Sequence, residues 1–366
     1  MIFKGHCDKS NKQEAFFFGI SGMTPVGGAD AMKLSILDQS PISEGFTAID
    51  ALAQSLHLVK EAEKLGYCRY WFAEHHNTSG LASTAPEILM AHAASHTERI
   101  KVGSGGVLLP QYSPLKVAET FRTLETLFPN RIDLGIGRSP GGSAETRLAL
   151  TDGLRKSMNE FPRQLKDLQG YLSSGLPAEH AFSGVQAMPD PLSSSPDLWL
   201  LGISHRGARV AAEHGMAFTY GHFINPVSGK KAMKDYREQF KPAGHLKEPK
   251  TNFCIFAVCA ESQEKAEYLA SSQDAWLLQV ESGGDTRIIS PDQAGKIKFN
   301  EDQKNKIRMN RKRMLIGTPE RIKEDLLRIA DDYQTDEALI LTNIYDIKEK
   351  LESYRLLAEA FQIGDS

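Results

Sequence analysis

"LSILDQSPISEGFTAIDALAQSLHLVKEAEKLGYCRYWFAEHH", residues 34–76, contains one complete strand-helix-strand unit, and its reading sets the fold. The aliphatic run LSILD (34–38) is a strand. From Thr47 to Tyr67 the period changes to 3.6, gathering Ala48, Ala51, Leu52, Leu58, Val59 and Ala62 on one face. Asp50, Gln54, His57, Lys60, Glu61 and Lys64 fall on the other. Thr47 suits the N-cap and Gly66 the C-terminal stop. CRYWFAEH (68–75) is a second strand, and strands joined through a helix run parallel.

The alternation continues along the chain. Further strands are expected in IKVGSGGVLLP (100–110), IDLGIG (132–137), LWLLGI (198–203), AFTYGH (217–222), CIFAVCA (254–260) and ALILTN (338–343). TPERIKEDLLRIADD opens a helix, with Thr318 as N-cap, Pro319 at the first helical position and Glu320 in the first turn, where an acid suits the helix dipole. DIKEKLESYRLLAEAF (346–361) is the closing helix. Eight strands with crossover helices give an α/β fold of the (β/α)8 TIM-barrel type. A doubly wound sheet is the alternative, but LDQSPISEG follows the first strand where that fold carries GxGxxG. Two stretches fit no strand-helix unit, 174–197 and 281–303, and are expected as irregular insertions at the C-terminal face, the second as a lid.

Residues 1–31 show no sustained period and run out through Pro and Gly, so they are expected to be a disordered N-terminal extension. Residues 32–366 then form one barrel domain. No apolar run approaches the roughly 20 residues that cross a bilayer. With a formal charge of -3 and no dense basic patch interleaved with aromatics, nucleic acid is not an expected partner. The basic run NKIRMNRKRM (305–314) is flanked by acids and reads as a solvated helix face. The four cysteines form no CxxC pair and read as reduced thiols of a cytosolic protein.

In a barrel of this kind, residues ending the strands gather around one pocket. Glu74, His75 and His76 therefore stand at the mouth, and strand alternation turns His75 to the side of Trp71 and Ala73, away from Glu74 and His76. Three consecutive side chains on a strand cannot converge on one point, which argues against zinc; no metal is expected. His75 is the candidate for proton transfer or for a hydrogen bond to a bound ring. GIGRSPGG (135–142) ends the fourth strand with glycines and with Arg138, whose planar fork of donors suits phosphate. After the fifth strand, Ser204 stands at an N-cap with Gly207 and Ala208 in the first turn, a second place for an anion. Two such donor sets on one rim point to one phosphate-bearing ligand. No lysine ends a strand, no GxSxG elbow occurs, and no carboxylate pair ends the strands, which disfavours Schiff-base aldolases, α/β-hydrolases and glycosidases.

WFAEHHNTSG, VGSGGVLLPQYSP, NRIDLGIGRSPGG, LWLLGISHRGARVAAEHG and LIGTPERI, taken in order, resemble the bacterial-luciferase-like flavin monooxygenases, and LDQSPISEG is similar to the opening of a non-luminescent subgroup. The resemblance implies a (β/α)8 barrel, a homodimer in the cytoplasm, that takes reduced FMN from a separate flavin reductase and oxygenates a small organic substrate with O2. It further implies that His75 is catalytic or flavin-adjacent, that Arg138 and Ser204 hold the flavin phosphate with the Gly207 amide beside them, and that Gly105 and Gly106 run close beneath the flavin ring. His222 loosely matches an aromatic wall of the pocket and counts as a second catalytic candidate. Gly137 stands where luciferase has a reactive cysteine, so light emission is not implied. Some relatives use the deazaflavin F420 instead, or bind flavin without oxygenating anything, and a barrel enzyme acting on a phosphorylated metabolite would share the same rim.

Overall fold

The structure is a computed structural model that describes residues 32–364 apart from 140, 174, 191–193 and 245. The extension expected over residues 1–31 lies outside the described residues. Nine parallel strands follow in chain order: β1 (Lys33–Asp38), β2 (Arg69–Phe72), β3 (Lys101–Ser104), β4 (Ile132–Gly137), β5 (Asp197–Gly202), β6 (Ala217–Gly221), β7 (Thr251–Cys259), β8 (Met314–Gly317) and β9 (Glu337–Leu341). Strands β1 to β6 pair with their sequence neighbours, β6 pairs with β7, β7 with β9, and β9 returns to β1 with Lys33 opposite Glu337. The result is the closed eight-stranded α/β barrel expected from the alternation. Its staves are β1–β7 and β9. The extra strand, β8, pairs only with the second half of β7, from Phe256 opposite Met314 to Cys259 opposite Gly317.

Local chemistry explains the helices that separate the strands. Ala48–Lys64 starts in a capping box: the Thr47 hydroxyl accepts from the Asp50 amide at 3.3 Å, and the Asp50 carboxylate accepts from the Thr47 amide at 2.8 Å. Gly66 then adopts a φ of +86°, and a Cβ there would lie 2.1 Å from the Ile363 carbonyl oxygen, so only glycine lets the chain leave the helix at this point. Pro319–Tyr333 begins directly after Thr318, and Ile347–Phe361 closes the ring.

Strand alternation divides the core into two layers. Leu34, Ile36, Tyr70, Phe72, Val102 and Phe218 face the helices. Leu37, Trp71, Trp199, Phe256 and Leu339 fill the barrel. Trp71 and Trp199 are fully buried and meet edge-on at 5.4 Å. At ~150–250 Å² buried per aromatic ring and ~25 cal/mol per Å², each contributes roughly 4–6 kcal/mol before entropy is charged against it. Beneath them lies a charged floor. Arg69 Nη1 meets Asp133 Oδ2 at 2.6 Å and Arg69 Nε meets Glu337 Oε1 at 2.6 Å. Trp71 Nε1 donates to Asp133 Oδ2 at 2.9 Å, and the Ser35 hydroxyl donates to Glu337 Oε1 at 2.8 Å. The floor closes the barrel from below, and the C-terminal ends of the strands lie at the other end.

The insertion at 281–303 is docked on that end. Ile288, fully buried, forms a parallel bridge with Ser43, its amide donating to Ile42 O at 3.1 Å while Ile288 O accepts from the Glu44 amide at 2.8 Å. Thr286 holds the next loop, its hydroxyl accepting from the Gly80 amide at 2.8 Å and its carbonyl from Trp276 Nε1 at 2.8 Å. The basic run 305–314 is more than a solvated face: Arg311 meets Asp274 at 2.7 Å and Glu267 at 2.6 Å, and Arg313 meets Glu281 at 2.5 Å. These pairs fold it back onto the acids of the helix Gln263–Ser282. Among the described residues no helix is long and apolar enough to cross a membrane.

Candidate functional site

Beyond Phe72 the chain stays extended, and the three ionisable groups diverge. Glu74 points away from the barrel axis and gathers donors: the Leu108 amide at 2.8 Å on Oε2, and the Tyr112 hydroxyl at 2.5 Å on Oε1. His76 Nε2 lies on the same side, 2.8 Å from Glu74 Oε1. These contacts hold the β3 exit loop against the β2 exit. His75 turns the other way, and its Nδ1 is buried with no partner in the protein. Burial, aided by neighbouring His76, pulls its pKa down from 6.5 to about 4, so the ring is neutral near pH 7. An orphaned ring nitrogen of this kind calls for a ligand or water to bond it.

Next around the rim, β3 runs out into Gly105 and Gly106, joined by a cis peptide. A Cβ on Gly105 would lie 2.3 Å from Leu37 Cδ1, and one on Gly106 would lie 2.7 Å from the Gly135 carbonyl oxygen. Glycine is required by the barrel's own packing, and the consequence is bare backbone at the mouth.

β4 delivers Arg138 and β5 delivers Ser204, the N-cap of the helix His205–Glu213. The Ser204 hydroxyl makes no capping bond to that helix. Arg138 is part-buried, and its pKa is lowered by burial and then by Arg206, which stands in the helix's first turn. Among the described residues neither guanidinium has a carboxylate partner. Gly207 is buried, its Cα packed close to Gly202 of β5, and its amide belongs to the first turn, where helix N–H groups have no partner of their own. Arg138 with Arg206 nearby, an uncommitted Ser204 hydroxyl and free amides form a cationic cradle suited to an anion.

Arg206 was not singled out from the sequence, although SHRG carried a signal: a cation in a first turn, where an acid is the stabilising choice. Asn343, just past β9, also escaped notice; its Nδ2 donates to Gln39 Oε1 at 3.3 Å while its Oδ1 is buried without a partner. His222 is not brought to the mouth. Its ring keeps step with Phe218 and Tyr220 in the layer between barrel and helices, packs on Tyr333 and Phe253, and bonds the Tyr333 hydroxyl through Nδ1 at 2.8 Å. Burial, then Arg328, lowers its pKa to about 4. The structure thus groups His75, Gly105, Gly106, Arg138, Ser204 and Gly207 on one rim and sets His222 behind it.

An eight-stranded α/β barrel with an anion cradle at its rim is the setting of many enzymes, and comparison with known proteins narrows it. Residues 32–335 match the model of the luciferase-like monooxygenases, and the chain belongs to that family of oxygenases. It is 52% identical over 330 residues to the protein YceB of Bacillus subtilis strain 168, covering 90% of this chain and 99% of that one. It is 35% identical over 332 residues to the N-acetyl-S-alkylcysteine monooxygenase of the same organism, covering 90% and 98%. The crystal structure of apo-MsnO8 superposes with a TM-score of 0.81 at 36% identity, covering 91% of this chain and 99% of that chain.

Proposed function

We propose that the protein binds reduced FMN across this rim and oxygenates a small organic substrate with O2, the reduced flavin being supplied by a separate reductase. The observation that carries the reading is the pair Arg138 and Arg206, two guanidiniums without a carboxylate beside the uncapped Ser204. These groups take the phosphate. Gly105 and Gly106, held as glycines by the packing of Leu37 and the β4 backbone, leave bare backbone at the mouth against which a flat ring system can lie. His75, neutral and with Nδ1 unpaired, offers a hydrogen bond to the ring or the substrate without adding charge. Bound reduced flavin supplies the electrons that activate O2. The docked insertion, anchored by Ile288, keeps water from the mouth. The N-acetyl-S-alkylcysteine monooxygenase named above supports a small organic substrate. The protein acts in the cytoplasm as a homodimer.

The test is an anaerobic titration of the protein with photoreduced FMN, followed by mixing with air in a stopped-flow spectrometer. Tight binding of the reduced form and a transient near-ultraviolet absorbance before reoxidation are expected. Failure to bind either redox form refutes the reading. A parallel titration with F420 tests the deazaflavin alternative, and oxygen uptake with reductase and candidate substrates separates an oxygenase from a flavin carrier.

A further inference from the structure

Outside the rim, a cavity of about 380 Å³ opens between the turn Leu109–Gln111 and the helix Ala144–Leu150, a volume within the range of small-molecule sites. Its charged lining is of one sign: Arg147, Arg155 and Lys156, with no Asp or Glu. Among the described residues the side chains of Arg147 and Arg155 have no acid partner. The remaining wall is largely apolar, formed by Pro110, Leu148, Leu154 and Met158, and the last two leave 68% and 39% of their surface to solvent.

The wall is built rather than incidental. Thr151 ends the helix, and its hydroxyl, 3.0 Å from Arg147 O, donates to Leu154 O at 2.6 Å. Asp152 and Gly153 take φ of 51° and 78°, and the Gly153 amide donates to Leu148 O at 2.7 Å. This turn brings Leu154 and Arg155 back over the helix. Lys156 Nζ is fastened to the opposite wall by Gln111 O at 2.9 Å. The cavity is also tied to the strand end bearing His75. Asn77 Nδ2 donates to Thr146, beside Arg147, at 3.1 Å, and Tyr112, next to Gln111, bonds Glu74.

We propose that this cavity binds a small amphipathic carboxylate, its cations holding the acid end. The guanidiniums supply the paired donors that match a carboxylate, and the apolar wall takes the chain attached to it. The claim stands on the cavity and does not depend on the flavin reading above.

The test uses the full chain without flavin, titrated calorimetrically with hexanoate and with hexan-1-ol, as wild type and as the Arg147→Ala/Arg155→Ala variant. Saturable 1:1 binding of hexanoate, weakened at least about tenfold in the variant at unchanged melting temperature, is expected. The alcohol should bind weakly and equally to both. Absence of hexanoate binding, or equal binding by the variant, overturns the proposal. So does displacement of hexanoate by equimolar inorganic phosphate, which would mark an unselective anion site. Reduced FMN and riboflavin are titrated alongside: a variant that loses FMN but not riboflavin assigns these cations to the flavin phosphate and sinks the carboxylate site. Hexanoate binding without binding of either flavin leaves the cavity's role intact and removes the flavin reading instead.

Discussion

Arg138→Ala separates the phosphate reading from any looser account of the rim. In the flavin-free protein Arg138 stands near Arg206 without a carboxylate between them, so its removal relieves like-charge repulsion and should not lower the melting temperature. With FMN the same change removes charge-assisted hydrogen bonds to the phosphate. Such bonds contribute ~1.5–3 kcal/mol, and the part-exposed setting of Arg138 favours the lower half of that range, which is roughly a tenfold to fortyfold weaker Kd. Riboflavin carries the ring without the phosphate, so its affinity should be unchanged. Anaerobic titrations of both ligands, as wild type and variant at two ionic strengths, give a double-mutant cycle in which the whole loss falls on the phosphate and shrinks with salt. Equal losses for FMN and riboflavin, or none for either, would show that Arg138 does not hold the phosphate. Arg138→Lys, which keeps the charge and loses the fork, should fall between.

Three further outcomes follow from the packing. His75 and His222 titrate near 4 when folded against 6.5 when free, so from about pH 6.5 down to 4 the unfolded chain holds more protons and stability falls with acidification; His222→Gln should flatten that slope in urea melts, and an unchanged slope would count against burial as the cause. Gly106→Ala drives a Cβ to 2.7 Å from rigid β4 backbone and should cost ~1–3 kcal/mol, whereas Gly105→Ala meets side-chain atoms, the tip of Leu37 at 2.3 Å and Trp71 Cβ at 3.3 Å, and should cost less; the reverse order of melting temperatures would refute this. Ile288→Ser should release the insertion from Ser43 and raise the hydrogen peroxide formed per substrate oxygenated, and unaltered coupling would remove the insertion from water exclusion.

The strand positions were legible because each stave is a short apolar run between helices with plain caps, as at Thr47 and Thr318. MLIG, the strand β8, was not: four residues between a basic helix and a capped one give no period of their own, and only the edge offered by β7 makes them a strand. At the rim, alternation placed His75 opposite Glu74 and His76 because β2 keeps its extended course through them. The same rule carries His222 outward, since Phe218 and Tyr220 set its phase. Arg206 left a local trace, a cation in a helix's first turn, that went unread, whereas the cavity beside Arg147 lay beyond reach because it depends on residues far apart in the chain meeting at one edge, which no local pattern encodes.

The position of β8 has a consequence for how the gene can be rearranged. The chain leaves β7, travels through the helix Gln263–Ser282 and the insertion, and comes back to β7 itself before passing on to β9. Departure and return share one strand, so the intervening loop is an excursion whose length does not set barrel closure. A backbone break between Gly283 and Asn300 would divide the molecule into a seven-stave piece and a piece carrying the eighth stave, two fragments suited to reassembly from separate transcripts.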